Sequence, residues 1–296
     1  MAEGHLDVPG GRVFWRDVGE GGIPLLTLHG GPGFPHDYME SLEGLADRRR
    51  VIFFDQLGCG RSDRPDDESL WTVERFVEEV EAVRQGLELK RFHLFGSSWG
   101  GMLAMEYTLR KRRPQVESLI LCSSPASIPR WVEGCNELLA ELPEWNQKTI
   151  EHHEENGFTS CPHYGAAILE FYRRHVCRLD EWPDGVERAF RDAGYQVYGY
   201  MNGPSEFTVV GTLKDWSVMD RLGEIDKPTL VVSGEFDELR PEHAREVHEA
   251  IAGSELQILD GCSHLSFAED PETFYDVVND FLDRVEAKSP NSPVAA

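Results

Sequence analysis

The sequence predicts an α/β domain: a mainly parallel sheet with helices on both faces, broken once by a helical insertion. Three observations predict it. Short apolar or β-rich runs alternate with amphipathic stretches through the first third of the chain. The same alternation returns in the last third. Between them lies a long segment without β-rich runs, dense in aromatic residues. Strands that alternate with helices of this length favour parallel pairing, because each crossover helix returns the chain to the same edge and covers one face of the sheet.

In chain order, residues 12–18 form a β-rich run bounded by Gly10, Gly11 and Gly19, and 23–28 a short apolar run that stops at a glycine-rich turn. Residues 37–47 are helix-like and 50–55 read as a strand. Over 71–87 the apolar residues Phe76, Val80, Val83 and Leu87 fall on one helical stripe with acids opposite, and Thr72 is placed to cap it. Strand 91–95, helix 98–112 and strand 116–121 follow. The pattern then changes over 129–211, where Pro143, Pro162, Pro183 and Gly194 interrupt helix-like stretches. Beyond it come strand 229–233, helix 242–251, strand 256–259 and a closing helix 271–285. The expected organisation is a core of 1–128 and 212–286, a helical cap over 129–211 and a flexible tail over 287–296, rich in Pro, Ser and Ala.

Composition narrows the function. The chain has 296 residues, 29 basic and 53 acidic side chains, and a formal net charge of -24. An acidic excess of that size disfavours nucleic acid and anionic lipid, both of which need clustered Lys and Arg. A cationic small substrate suits such a field. No run approaches the roughly 18 apolar residues of a membrane span. Residues 1–10 include Glu3 and Asp7 and lack the apolar core of a secretory signal, which points to the cytoplasm. The six cysteines are scattered without a CxxC pair and read as free thiols in a reducing compartment. No sequence pattern for a metal or cofactor is present; the adjacent His152 and His153 would diverge on a helix.

The chemistry-bearing signal is Gly96-Ser97-Ser98-Trp99-Gly100, set between the apolar run 92–95 and a helical stretch. Strand, sharp turn, helix is the context a G-x-S-x-G nucleophile elbow requires, and the register selects Ser98. A serine hydroxyl is a poor nucleophile at neutral pH and needs a base. Downstream, two strands end in loops that carry Asp237 and His264. Both therefore sit at the strand C-termini, where an open α/β sheet gathers its site. The expected roles are nucleophile for Ser98, general base and acid for His264, and orienting carboxylate for Asp237. Asp260 is a weaker competitor for the last role, and His243 and His248 read as surface residues of a helix. The run His29-Gly30-Gly31-Pro32-Gly33 follows an early strand. An oxyanion needs two N–H donors: Trp99, next after the nucleophile, and Gly31, because Pro32 has none. His29 reads as a loop brace. Asp55-Gln56-Leu57-Gly58-Cys59-Gly60-Arg61-Ser62 reads as a turn that braces the site, with Cys59 not placed as a nucleophile.

The run from His29 to Gly33, the run from Asp55 to Ser62 and Gly96-Ser97-Ser98-Trp99-Gly100-Gly101 together resemble the proline iminopeptidase family of α/β-hydrolases. Asn202-Gly203-Pro204-Ser205-Glu206-Phe207, the run from Gly211 to Trp216, Gly234-Glu235-Phe236-Asp237-Glu238 and Cys262-Ser263-His264 are similar to its tricorn-interacting aminopeptidase branch. The resemblance spans about residues 10–285. It implies the α/β-hydrolase fold, a helical cap over the site, no cofactor, and release of N-terminal proline or other small or apolar residues from short peptides. It also implies that Glu206 and Glu238 hold the free α-ammonium, and a desolvated ammonium does need anionic partners. Tyr195, Tyr198 and Tyr200, near Glu206, are candidates for a pocket around the first residue. An L-amino-acid amidase or an esterase of the same fold and triad is the alternative activity. A non-catalytic binding protein on a hydrolase scaffold is the third reading.

Overall fold

Strand β3 (Leu25–Leu28) is wholly buried, and so are the strands around it; that burial is what a sheet covered on both faces demands. The computed structural model describes residues 1–110 and 113–288. Among them, β1 (Ala2–Val8), β2 (Gly11–Val18), β3, β4 (Val51–Phe54), β5 (Phe92–Ser97), β6 (Val116–Cys122), β7 (Thr229–Gly234) and β8 (Glu255–Leu259) form one sheet in the order β1-β2-β4-β3-β5-β6-β7-β8. β1 and β2 pair antiparallel, as do β2 and β4, and every later pairing is parallel.

β1 is the one strand the sequence did not announce. It lies at the sheet edge with exposed and half-buried residues alternating, so no apolar run marks it. Helix α1 (Val73–Gly86) starts where Thr72 accepts a hydrogen bond from the Arg75 N–H, and it buries Phe76, Val80 and Val83. Its acids are not all on the outer face. Glu79 is fully buried, pairs with Arg75 and accepts the Leu57 N–H. Helix α2 (Trp99–Arg110) packs against β5 and β6. The stretch 37–47 is a 3-10 segment, His36–Asp47, on the opposite face.

Five helices fill the connection from β6 to β7: α3 (Ile128–Leu139), α4 (Glu144–Glu155), α5 (Pro162–His175), α6 (Asp184–Arg191) and α7 (Tyr195–Met201). A β-bridge between Ser127 and Ser217 closes the neck of this connection. α6 lies on the 3-10 segment, with Arg188 ion-paired to Asp37 and Glu40. Helices α8 (Pro241–Ala250), α9 (Ser266–Glu269) and α10 (Pro271–Lys288) complete the chain. Residues 287–288, expected in the tail, still belong to α10; 289–296, and 111–112 of the expected helix 98–112, lie outside the described residues. No helix among the described residues is long and apolar enough to cross a membrane.

Candidate active site

Ser98 stands at the tip of the turn from β5 into α2, with φ of +55°, a left-handed conformation that L-residues adopt at a cost. Its N–H donates to the Cys122 carbonyl at 3.0 Å, which ties the turn to β6. Backbone crowding explains the flanking glycines. A Cβ on Gly100 would lie 2.0 Å from the Leu28 carbonyl oxygen, and one on Gly96 would lie 2.4 Å from the Gly100 carbonyl oxygen. The first turn of α2 is therefore pressed onto the end of β3. That contact carries the β3 loop to the serine: a Cβ on Gly30 would sit 3.1 Å from Ser98 Cβ.

His264, on the loop after β8, has its Nδ1 2.8 Å from Asp237 Oδ1. Asp237, on the loop after β7, is buried; its Oδ1 also accepts the Leu239 N–H at 2.9 Å and its Oδ2 the Ser233 hydroxyl at 3.0 Å. These bonds fix the carboxylate, and the carboxylate fixes the imidazole tautomer with its proton on Nδ1. The rival Asp260 is exposed. Ser98 and His264 line one cavity of about 80 Å³ with Gly31, Glu206 and Glu238; no hydrogen bond joins the hydroxyl to the ring. Neither the Gly31 N–H nor the Trp99 N–H has a hydrogen-bond partner among the described residues. The Trp99 N–H also opens a 12-residue helix, whose dipole favours negative charge there.

Glu206 and Glu238 meet in this cavity although 32 residues separate them in sequence (238 minus 206). Glu206 sits in the turn after α7, where it accepts from the Tyr198 hydroxyl at 2.8 Å and the Tyr172 hydroxyl at 3.2 Å. Glu238 is 4% exposed, and its Oε2 is buried without a hydrogen-bond partner among the described residues. Such an orphan is rare in folded proteins and calls for a donor. Burial pushes both carboxyls above the usual range; in Glu238 the nearby Glu206 and Asp237 charges add to it, and in Glu206 the tyrosine hydroxyls oppose it. His264 is pushed up to about 9: burial opposes its charge, but Glu238 and Asp237 outweigh it. The arrangement combines a hydroxyl, an imidazole–carboxylate pair, two free N–H groups and an anionic wall.

The chain from residue 23 to 271 matches the family described as alpha/beta hydrolase fold. A proline iminopeptidase of Heyndrickxia coagulans is 41% identical over 96% of this chain and 99% of its own. The chain belongs to the proline iminopeptidase family of α/β-hydrolases. Within that family, a crystal structure of the Mycobacterium smegmatis proline iminopeptidase superposes with a TM-score of 0.88 at 38% identity, covering 96% of this chain and 98% of that one. The crystal structure of VinJ superposes at 0.92 and 36% identity, covering 96% and 99%.

The three tyrosines near Glu206 in sequence, Tyr195, Tyr198 and Tyr200, have different surroundings. Tyr198 lines the cavity and holds Glu206. Tyr195 is 58% exposed, donates to the Phe190 carbonyl and lines a neighbouring cavity of about 640 Å³. Tyr200 lines neither cavity and packs against the core. Tyr172 was missed: it lies in the earlier helix α5, and only the fold sets it beside Glu206. Trp131, Phe34 and Tyr38 also line the cavity. His243, expected at the surface, is buried, because α8 turns it toward Gly134 of α3. His36, Asp37 and Asp55 lie close enough to share a cation, but their donor atoms are engaged: His36 bonds Asp55 and Arg16, and Asp37 pairs with Arg188.

Proposed function

We propose that this chain is a serine aminopeptidase that releases the N-terminal residue, proline or another small apolar one, from short peptides. The observation that carries this reading is the unpartnered, buried Oε2 of Glu238, opposite Glu206 and within the cavity of Ser98. An α-ammonium supplies the missing donors. The two carboxylates also close the cavity behind it, so one residue alone fits before the scissile bond. Trp131, Val186, Ala189 and Leu265 offer apolar surface for that residue's side chain.

In the proposed reaction the ammonium docks on Glu206 and Glu238. Ser98 Oγ attacks the first carbonyl carbon and its proton passes to His264 Nε2. The Gly31 and Trp99 N–H groups hold the resulting oxyanion, each worth roughly 2.7–4 kcal/mol if it behaves as measured donors do. His264 then protonates the departing amine, the C–N bond breaks, and an aminoacyl ester remains on Ser98. Water, deprotonated by His264, hydrolyses the ester and returns the serine. Asp237 holds the ring in one tautomer throughout. Folded over this centre, 129–211 acts as the cap and 1–128 with 212–286 as the core that presents the triad.

The test is a panel of prolyl and alanyl p-nitroanilides with free and acetylated amines. Free amines are expected to be cleaved and acetylated ones left intact, and Ser98→Ala is expected to abolish turnover while folding normally. Efficient cleavage of the acetylated substrates would remove the ammonium from the mechanism.

A further inference from the structure

The two peptide units between His29 and Gly31 are pinned at every polar group but one. The Gly30 N–H donates to the Tyr38 hydroxyl at 2.6 Å. The His29 carbonyl accepts the Gln56 side-chain Nε2–H at 2.9 Å. The Gly30 carbonyl lies 3.0 Å from His29 Nδ1. Of these four groups, the Gly31 N–H alone is left without a partner among the described residues.

Which His29 nitrogen carries the proton follows from its neighbours. Nε2 accepts the Gln56 backbone N–H at 2.8 Å, so it holds no proton, and Nδ1 therefore donates to the Gly30 carbonyl; the Gln56 side-chain Nε2, 3.2 Å from Nδ1, finds no acceptor there and gives its hydrogen to the His29 carbonyl. Burial reinforces this by pushing the ring down to about 4, which keeps it neutral. The Gly30 carbonyl and the Gly31 N–H belong to one planar trans peptide and point in opposite directions. Fixing the first therefore aims the second.

Gln56 also reaches the other donor. Its Oε1 accepts the Trp99 ring Nε1–H at 2.8 Å while its Nε2 holds the His29 carbonyl. Both ends of the carboxamide are engaged, and a flipped amide would set N–H against the Trp99 ring N–H and oxygen against the His29 carbonyl. One buried side chain thus links the loop before Gly31 to Trp99, the residues proposed to face each other across the oxyanion.

We infer that Gln56 and His29 are positioning residues for the oxyanion site: Gln56 sets the spacing of its two halves, and His29 orients the Gly31 N–H. The inference rests on the reading of Gly31 and Trp99 as oxyanion donors and of Ser98 as the nucleophile. Neither residue need touch the substrate, so their effect appears in the tetrahedral state and not in ground-state binding.

The experiment compares pyrrolidine-2-boronic acid, whose boron accepts Ser98 Oγ and becomes tetrahedral, with proline, which remains trigonal. Gln56→Leu, Gln56→Met and His29→Leu are expected to lose about 10- to 100-fold in boronate affinity and in kcat/KM together, as is common for groups that orient a site through a neighbour. Proline affinity should change by less than about twofold on the same reasoning. His29→Asn, which keeps an N–H near the position of Nδ1, should recover part of the loss seen in His29→Leu. Thermal midpoints identify any variant that is merely unfolded, and Gln56→Met, uncharged and close in size, guards against that outcome. Boronate and proline affinities that fall together, or boronate affinity that does not move, overturn the inference. Ser98→Ala separates the two readings: if it still turns over substrate, the nucleophile assignment is wrong; if it is inactive while the Gln56 and His29 variants bind boronate normally, only the positioning role is wrong.

Discussion

Glu238 Oε1 lies 3.6 Å from His264 Nδ1, the same nitrogen that pairs with Asp237 Oδ1 at 2.8 Å. The proposed base is therefore held between two carboxylates, with Glu206 adding to the field, and is pushed up to about 9. These carboxylates favour a second proton on the ring, and a doubly protonated imidazole is no base. In the proposed mechanism a docked ammonium places positive charge beside Glu238 and Glu206 and weakens that field, which couples substrate binding to base activation.

The first prediction tests that coupling. A base acts above its pKa, so lowering the His264 value moves activity toward lower pH. Glu238→Gln removes the largest of the raising influences. The pH midpoint for labelling Ser98 with a neutral organophosphate should fall from near 9 toward 6.5, by on the order of one unit. Hydrolysis of free-amine peptides by the same variant should drop. An unmoved midpoint would show that Glu238 does not govern the base.

The same substitution should stabilise the fold at alkaline pH. Burial raises the Glu238 carboxyl, so the folded state favours its protonated form. For a group raised above its unfolded value of 4.5, the stabilising contribution is complete below that value and is lost as pH climbs through the folded value. Glu238→Gln has nothing to ionise. Its melting temperature should exceed that of the parent at pH 9 and approach it at pH 5. Calorimetry at the two pH values checks this, and a parent more stable than the variant at pH 9 refutes it. The result would mark Glu238 as a group kept for function at the expense of stability.

The local chemistry was legible in the sequence wherever a backbone constraint wrote itself into residue type. Gly96, Gly100 and Gly31 mark close approaches or a positive φ, the Asp237 loop follows a fully buried strand, and the His264 loop follows a shorter, half-buried edge strand that still carries Leu256, Ile258 and Leu259. Long-range pairing left no such trace. Tyr172 and Tyr198 belong to different helices and converge on Glu206 only after the cap folds. β1 was hidden because an edge strand with a half-exposed face lacks an apolar run. The buried His243 looked like any polar residue of a surface helix, and Gln56 looked like part of a turn.

Gly100 gives a prediction about the elbow itself. Its absent Cβ leaves room for the Leu28 carbonyl, and a methyl group there would lie 2.0 Å from that backbone oxygen. Neither partner is a flexible side chain, so α2 must move away from β3. Gly100→Ala should destabilise the protein by about 1–3 kcal/mol and reduce kcat by more than KM changes, because the shift separates the Trp99 N–H from the Gly31 loop. Denaturant midpoints and steady-state kinetics report the two effects. A variant as stable and as active as the parent would mean that the helix start tolerates displacement.

The two tyrosines that hold Glu206 should behave as one unit. Both hydroxyls donate to the same carboxylate, Tyr198 to Oε1 at 2.8 Å and Tyr172 to Oε2 at 3.2 Å. A hydrogen bond to a charged group contributes roughly 1.5–3 kcal/mol, and the shorter bond from Tyr198 should account for more. Removing either one lets Glu206 rotate and favours its protonated, non-binding form, since these bonds oppose the upward push of burial. Tyr198→Phe and Tyr172→Phe are therefore expected to raise KM for free-amine substrates about tenfold and a few-fold respectively, with organophosphate labelling of Ser98 unchanged. Because the carboxylate is loosened once and not twice, the double variant should lose less than the product of the two single losses. Strict multiplication of the effects would mean that each tyrosine acts on the substrate by a separate route, and equal losses in the labelling rate would place them in the chemistry of Ser98 instead of the ammonium site.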